Sequence, residues 1–331
     1  MSTEVLSAFL GPLRPFLSDP QVEEALINRP GEVFVERAGD MVRHEVDDLS
    51  RKRLIDLAGL IATYTNQVIS EEKPLLSAQL PEGYRVQVVI PPACHPEQFG
   101  LSIRKPMGRK FSLDEYEAAG SFDPAWRRDQ HSQSDYGLGE LYRTGKIKEF
   151  LARAVIARKN IVVSGGTASG KTTFLKALIE LIPAHERILT IEDVQELDVP
   201  HINKLHLLAS AGGQGKAKVD FYALIMACLR LRPDRIIVGE LRGGPGINAF
   251  FDSLNTGHEG SVSSVHANST DECFERLTDM VMDTERGQTM SWDQIHRMVR
   301  KRIDVVVQFA RLENKRRVMT GIYYREADHA G

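Results

Sequence analysis

The sequence has 331 residues, of which 42% are hydrophobic and 26% are charged, and 42 basic against 45 acidic residues leave a formal net charge of −3. These values are those of an ordinary globular protein, and they argue against a bulk affinity for nucleic acid or for membranes. The length favours two domains over one.

The cysteines and the N-terminal residues indicate in which cellular compartment the protein is expected. Cys94, Cys228 and Cys273 are far apart and odd in number, which argues against a disulfide framework and against a CxxC-type zinc site. The first residues lack the basic start and long apolar run of a signal peptide. No stretch approaches the ~18 apolar residues of a membrane span. We therefore expect a cytoplasmic protein whose membrane contact, if any, is peripheral.

The N-terminal third is predicted to be a mixed α+β domain over residues 1–106. Alternating apolar runs at 32–36 and 84–90 predict strands, and Gly100–Arg104 predicts a third strand that ends before a proline. A helix is predicted behind the N-cap candidate Ser50 from apolar residues at helical spacing, which are Leu54, Leu57, Ala58, Leu60, Ile61 and Tyr64. Residues 107–144 are polar and weakly periodic, which predicts a linker that carries short helices.

The C-terminal part, residues 145–331, has the pattern of an α/β domain. Near-continuous apolar strands are predicted at 161–163, 188–191, 236–238, 261–266 and 305–309, with helical segments between them. Strands of this kind that alternate with helices indicate a mainly parallel sheet covered on both faces.

A phosphate-binding loop is predicted between the first of these strands and the helix that follows. Residues 165–172 read GGTASGKT and fit G-x-x-x-x-G-K-[ST] at every specified position. Glycines let backbone N–H groups close on a phosphate, and a helix N-terminus adds positive potential. Lys171 is predicted to reach the β- and γ-phosphates and Thr172 to bind Mg²⁺, so ATP and Mg²⁺ are the expected cofactors. The predicted nucleotide-binding residues here are Gly165, Gly166, Thr167, Ala168, Ser169, Gly170, Lys171, Thr172 and Thr173. The alternative is a glycine-rich turn with an exposed lysine.

Acidic residues follow two of the predicted strands. Glu240 comes after the strand 236–238, at the end where open α/β sheets hold ligands, and is a candidate general base. Gly239 stands where many P-loop enzymes have a metal-binding aspartate, so another acid must share the Mg²⁺. Glu192 and Asp193, after the strand 188–191, are the candidates, which makes Thr172, Asp193 and Glu240 the predicted metal residues. The alternative for Asp193 is to cap a helix together with Glu196.

Two histidines and several arginines are further candidates. His258 and His266 are eight residues apart, and an even spacing puts residues on one strand face, so both could point at one γ-phosphate-sensing site. Isolated histidines are more often without such a role. Arg85 and Arg104 lie on predicted strands of the N-terminal half. Arginines stabilise the charge on a transferring phosphoryl group.

The remaining basic residues cannot be ranked from the sequence. Arg230, Arg232 and Arg242 flank the predicted strand 236–238 that precedes Glu240. The basic clusters at 297–302 and 311–317 are interpreted as solvated faces.

Together these motifs resemble the hexameric traffic ATPases of bacterial type IV secretion systems, within the wider secretion-ATPase superfamily. The C-terminal half carries four similar blocks, at 165–172, 191–197, 236–242 and 256–267, and the N-terminal half carries PLRPF, NRPGEVF, RVQ and SIRKP. The family itself has glycine before the catalytic glutamate, which accounts for Gly239. Ser264 departs from the threonine expected before the His-Ala pair, but it keeps the hydroxyl. The superfamily's pilus and type II members often carry a four-cysteine zinc insertion, and its absence argues for the type IV branch.

The resemblance implies a PAS-like N-terminal domain joined to a RecA-like P-loop domain. It also implies a homo-hexameric ring at the cytoplasmic face of the inner membrane, which works with secretion-channel and coupling subunits to power substrate transfer or pilus assembly. The implied catalytic residues are Lys171, Glu240, His258 and His266, with Arg85 and Arg104 reaching the nucleotide from the N-terminal domain. Nucleotide is expected between the domains, which hydrolysis would rotate against each other.

Two other functions stay open at this point. A RecA-class nucleic-acid motor needs a basic track, and the net charge of −3 speaks against one, so no direct nucleic-acid readout is expected. A scaffold that binds ATP only to assemble would bind nucleotide without turnover.

Overall fold

The structure is a computed structural model that describes residues 3–106, 112–123, 137–210, 216–255 and 257–328. The N-terminal part is a six-stranded antiparallel sheet in the order β3-β2-β1-β6-β5-β4. Its strands are β1 (Val22–Ile27), β2 (Glu32–Arg37), β3 (Asp40–Glu45), β4 (Leu75–Gln79), β5 (Arg85–Val89) and β6 (Gly100–Arg104). The helices Thr3–Phe9, Arg14–Leu17 and Arg51–Tyr64 pack with it around one apolar core.

The predicted helix and the three predicted strands of this part are confirmed. The helix Arg51–Tyr64 begins at Ser50, whose side chain accepts the Arg53 amide hydrogen. This bond satisfies one of the free N–H groups of the first turn, which is the physical role of an N-cap. The strands β1, β3 and β4 were not predicted.

The C-terminal part contains a three-stranded sheet, β10-β8-β9, and a four-stranded sheet, β11-β7-β12-β13. Its strands are β7 (Ile161–Gly165), β8 (Ile188–Glu192), β9 (Lys204–Leu208), β10 (Arg235–Val238), β11 (Val262–Val265), β12 (Val305–Arg311) and β13 (Arg317–Tyr324). The two sheets meet at β10 and β11, where the Leu241 amide donates to the Ser264 carbonyl at 2.7 Å. Every pair is parallel except β12 with β13.

Helices cover both faces of these strands, as the sequence predicts. Val162 belongs to one apolar core, whereas its neighbours Ile161 and Val163 belong to the other. Because successive residues of a strand point to opposite faces, this alternation is the mark of a sheet buried on both sides. The helices of this part are Leu138–Arg143, Ile147–Ile156, Lys171–Ile179, Phe221–Cys228, Gly246–Ser253, Thr270–Met282, Trp292–Arg302 and Arg325–Asp328.

Two short helices lie within the described part of the range predicted as a linker. Leu113–Ala118 begins with a capping box of Ser112 and Glu115 and buries none of its residues. Leu138–Arg143 instead buries Leu138 and Leu141 in a C-terminal core. The second helix is therefore part of the C-terminal packing.

A buried polar network joins the two parts of the chain. Arg187 lies just before β8 with 0% of its surface exposed. Its Nη1 atom donates to the Oδ1 atom of Asn28, from the N-terminal part, at 2.6 Å, and also to Asn203. The Asn28 side-chain amide donates to Asn203 at 2.9 Å. Burial lowers the pKa of Arg187 to about 10. We call Asn28, Arg187 and Asn203 the interdomain clamp.

The interdomain clamp opposes the expected rotation of one domain against the other. Two further contacts flank it: Arg232 pairs with Glu36, and the His206 amide donates to the Gln98 side chain at 2.8 Å. A buried donor or acceptor that loses its partner costs about 1–3 kcal/mol, and more if it is charged. A rotation within the chain would break several such contacts together.

No helix among the described residues is long and apolar enough to cross a bilayer. The three cysteines are free and buried.

Candidate nucleotide site

A cleft of about 440 Å³ opens at the carboxyl ends of β7, β8, β10 and β11. Open parallel sheets bind ligands at this edge, because the loops that leave the strands diverge there. The lining includes Thr167, Ala168, Lys171 and Thr172 of the predicted phosphate loop and, from the other strand ends, Glu192, Asp193, Glu196, Gly239, Glu240, Arg242, Ser264 and His266. Among the residues that the structure describes, none from the N-terminal part lines this cleft.

The phosphate loop is held in a tight shape by two glycines. Gly170 has φ of 98° and immediately precedes the helix Lys171–Ile179. A Cβ atom on Gly165 would lie 2.5 Å from both the Phe309 carbonyl oxygen and the Ser169 hydroxyl. Gly170 needs a left-handed backbone, and Gly165 needs the absence of a side chain. Glycine is therefore required at both positions.

Lys171 lies across this loop. Its ammonium donates to the carbonyls of Gly165 and Gly166 at 2.7 and 2.9 Å, and it lies 3.4 Å from Nδ1 of His266. Burial lowers the pKa of Lys171, and Glu240 partly opposes that shift. The lysine charge is thus desolvated beside the loop, where a phosphate would gain most from it.

Glu240 follows β10 and is hydrogen-bonded through both of its oxygens. Nε2 of His266 lies 2.7 Å from one oxygen. Arg242 donates to the other oxygen from Nη2 at 2.8 Å and from Nε at 3.1 Å. His266 and Glu240 therefore form one hydrogen-bonded pair beside Lys171.

Glu192 ends β8 and points into the cleft floor. One of its oxygens accepts the amides of Glu196 and Leu197 at 2.9 and 3.0 Å. The other is buried without a partner in the described part of the chain, and burial raises the pKa of this carboxyl. A Cβ atom on Gly239 would lie 3.0 Å from Glu192 Cγ, so the glycine before Glu240 makes room for Glu192.

Asp193 does not cap a helix, and that alternative is wrong. Residues 193–200 form a bend followed by irregular chain. The Asp193 carboxylate pairs with Arg242 instead. The turn is held by Glu192, because the Glu192 carboxylate accepts the amides that a helix cap would have taken.

The cleft fits a magnesium-bound nucleotide. One oxygen of Glu192, which lines the cleft, is a buried polar atom without a partner among the described residues, and such an atom signals a missing ligand, ion or water. Thr172 lines the cleft at the start of the helix, as a metal-binding hydroxyl requires. Thr173 is exposed on the same turn, so its predicted contact with nucleotide stays a prediction.

Arg85, Arg104 and His258 line a different cavity, of about 890 Å³, between the two parts of the chain. His258 Nδ1 lies 3.2 Å from the carbonyl of Pro233, and burial lowers the pKa of this histidine. Pro233 precedes β10, so this cavity lies at the amino edge of the strands. Glu240 lies seven residues further on, a separation on the order of 20 Å in extended chain.

The shared strand face predicted for the two histidines is therefore wrong. The strand β11 begins only at Val262, so His258 is not part of it. His266 contacts Glu240 at the carboxyl edge, whereas His258 lies at the amino edge.

Arg317 is exposed, as the solvated-face interpretation of 311–317 predicts, but it also contacts the phosphate loop. This residue begins β13, and its Nε donates to the carbonyl of Ala168 at 3.2 Å. A Cβ atom on Gly170 would lie 2.9 Å from Arg317 Cδ, so the arginine stem packs on the phosphate loop. Ala168 has φ of 59°, a strained conformation for alanine that this contact helps to hold. No local sequence signal reveals the contact, because it depends on how β12 and β13 follow β7 in the sheet.

Replacing Arg317 with alanine is expected to raise KM for ATP about two- to fivefold, with a smaller change in kcat, because one exposed hydrogen bond that shapes the loop is lost. Steady-state kinetics measure both constants. Arg311→Ala is the matched control, since Arg311 is the register partner of Arg317 and has no hydrogen bond to the loop in the described chain. An unchanged KM in Arg317→Ala would show that the contact does not shape the site.

A sheet that presents Lys171 and Glu240 side by side at its carboxyl edge is the architecture of a RecA-like P-loop NTPase. Comparison with known proteins shows which family of P-loop NTPases the chain belongs to. The family model described as type II/IV secretion system protein matches residues 8–322. The chain therefore belongs to the type II/IV secretion system protein family. Because the relatives that match it along nearly its whole length are type IV secretion proteins, it is a nucleotide-binding ATPase of type IV secretion.

Individual relatives are similar in sequence to this protein along nearly the whole chain. The type IV secretion system protein VirB11 of Bartonella quintana is 39% identical and covers 98% of this chain and 95% of its own. PtlH of Bordetella pertussis is 39% identical over 95% of this chain and 93% of its own. The crystal structure of the VirB11 ATPase from the Brucella suis type IV secretion system, in complex with sulphate, has a TM-score of 0.88 at 36% identity and covers 98% of this chain and 99% of its own.

Proposed function

We propose that this chain hydrolyses Mg-ATP in the cleft between the phosphate loop and Glu240, as one subunit of a homo-hexameric ring that powers substrate transfer or pilus assembly. The observation that carries the ring is the separation of Arg85 and Arg104 from the phosphate loop of their own chain.

The chemistry follows from the residues at the carboxyl edge. Lys171 exchanges the carbonyls of Gly165 and Gly166 for the β- and γ-phosphates, and the N–H groups of the loop and helix start surround them. Thr172 and Asp193 would hold Mg²⁺, which would supply positive charge to the phosphoryl oxygens. Glu240 takes a proton from the attacking water, and His266 orients Glu240 through their hydrogen bond. The relative from Brucella suis was solved with sulphate, an anion of phosphate's shape.

The ring follows from the arginines at the amino edge. Arginines normally complete a phosphoryl-transfer site, yet the cleft lining includes Arg242 alone of the described arginines. If the amino edge of one subunit meets the carboxyl edge of the next, Arg85, Arg104 and His258 reach the neighbour's nucleotide. A contact between two different surfaces of the same protein is heterologous, and it closes into a ring when the rotation allows.

We further propose an N-terminal domain at 1–106 and a C-terminal ATPase domain that takes in the helix Leu138–Arg143, with the linker shortened from 107–144 accordingly. The ring would lie at the cytoplasmic face of the inner membrane against secretion-channel and coupling subunits. No direct nucleic-acid readout is proposed. Measurable turnover would separate this motor from a scaffold that only binds ATP.

Mixing two inactive variants tests the ring. Lys171→Ala removes the phosphate loop's charge and Arg104→Ala removes the arginine, so each variant alone is expected to be nearly inactive. The two variants are mixed in equal amounts so that they form mixed rings. Where the phosphate loop of an Arg104→Ala subunit faces a Lys171→Ala neighbour, the loop supplies Lys171 and the neighbour supplies Arg104, so this interface carries both residues. About a quarter of the wild-type ATPase rate should return, since one interface in four has this pairing.

The mixed rings are compared with unmixed variants at the same total concentration. No recovery after verified subunit exchange would mean that Arg104 serves its own chain. Full activity of Arg104→Ala alone would remove Arg104 from the site while leaving the phosphate loop assignment intact.

A further inference from the structure

We infer that Arg242 is an internal cation that holds Asp193 and Glu240 together in the nucleotide-free protein, and that the divalent cation entering with nucleotide displaces it. The inference rests on the proposed function, which assigns Asp193 to the metal and Glu240 to the attacking water.

The contacts of Arg242 are the first support. Its Nη1 atom pairs with Asp193, while Nη2 and Nε both donate to one oxygen of Glu240, at 2.8 and 3.1 Å. One guanidinium thus bridges a carboxylate after β8 and a carboxylate after β10. Guanidinium suits this task because its N–H groups spread in a plane and bind two acceptors at once.

The charge balance of the cleft is the second support. Four carboxylates line it, on Glu192, Asp193, Glu196 and Glu240. Lys171 and Arg242 are the only lysine and arginine among the described lining residues. Lys171 donates to loop carbonyls, so of the two only Arg242 contacts the acids. Without a cation between them, Asp193 and Glu240 would repel each other.

The hydrogen bonds that Glu240 already accepts are the third support. With His266 on one oxygen and Arg242 on the other, both oxygens of the carboxylate are hydrogen-bonded. A general base must turn one of them to the attacking water. Departure of Arg242 from both carboxylates would free the second oxygen of Glu240, so metal entry and release of the base become a single event.

Arg242 is free to leave. Its side chain is 58% exposed, so the guanidinium can turn into solvent without burying its charge elsewhere. Exposed ion pairs contribute little individually, so a divalent cation competes with this one easily.

The test measures metal-dependent binding. Full-length protein is first treated with EDTA to remove bound metal and is then mixed with the fluorescent nucleotide analogue MANT-ADP. Mg²⁺ is added stepwise, and the fluorescence reports how much MANT-ADP is bound. In Arg242→Gln the Mg²⁺ concentration for half-maximal binding is expected to fall about two- to fivefold, because the competing cation has gone. Arg242→Lys keeps a cation and should lie near the wild type.

Arg286→Gln is the matched control. It removes the same charge from an exposed pair, Arg286 with Asp252 at 2.7 Å, and should leave the Mg²⁺ requirement unchanged. Circular dichroism confirms that each variant is folded.

Two results would overturn the inference. An unchanged Mg²⁺ requirement in Arg242→Gln means that Arg242 does not compete with the metal, and a raised requirement means that it binds phosphate. Failure of the wild type to bind MANT-ADP in a Mg²⁺-dependent way would instead contradict the proposed nucleotide site, so the two failures are distinguishable.

Discussion

Replacing Lys171 with alanine should lower kcat for ATP hydrolysis by about 100-fold or more, the range found when one charge-stabilising donor is removed from an active site. Lys171 is the lysine of the GGTASGKT loop, and its ammonium lies within 2.9 Å of two loop carbonyls, poised where the phosphates would enter. No other lysine lines the cleft among the described residues, so no neighbour can replace its charge.

Phosphate release from ATP, followed in real time, measures the effect. Lys148→Ala is the control, because Lys148 is an exposed lysine on the helix Ile147–Ile156 of the same domain. Turnover near the wild-type rate in Lys171→Ala would contradict the assignment of the phosphate loop.

The second large effect is expected for Glu240→Gln, which should lower kcat about 10²- to 10⁴-fold while changing ATP affinity little. Glutamine keeps the size of the side chain and its ability to accept from Arg242, but it cannot take a proton from water. Binding and chemistry should therefore separate in this variant.

MANT-ATP titration and single-turnover kinetics resolve the two quantities. Glu180→Gln, at the exposed end of the helix that begins with Lys171, is the matched carboxylate control. Should Glu240→Gln lose nucleotide binding as well, Glu240 would be a structural or metal-binding residue and the base would have to be sought elsewhere.

The features that the sequence predicts correctly are those whose pattern lies within one short segment of the chain. The strand, turn and helix around the glycine-rich segment, the helix after Ser50 and the five predicted strands of the C-terminal part all have local signals. Two of the missed strands, β1 and β3, lack such a signal. In β1 two consecutive acids break the alternation, and Glu24 is buried because Ser102, on β6, donates to its carboxylate. The edge strand β3 is mostly exposed and so carries no apolar pattern.

The site was harder to predict than the fold where it depends on distant parts of the chain. Spacing suggested that His258 and His266 share a strand face, but only the observed start of β11 separates them. The contact between Arg317 and Ala168 joins residues 149 positions apart. The bridge from Arg242 to Asp193 likewise joins two strand ends that are adjacent only in the folded sheet.

The interdomain clamp has a mechanical consequence. Because Arg187 is fully buried and satisfied in part by Asn28, the N-terminal sheet is fastened to the ATPase core as a stiff lever. A lever converts a small turn at its pivot into a longer arc at its far end. In the proposed ring, a slight reorientation of the core at a subunit boundary would be amplified at the outer rim of the N-terminal sheet, and the length of this arm would set the stroke.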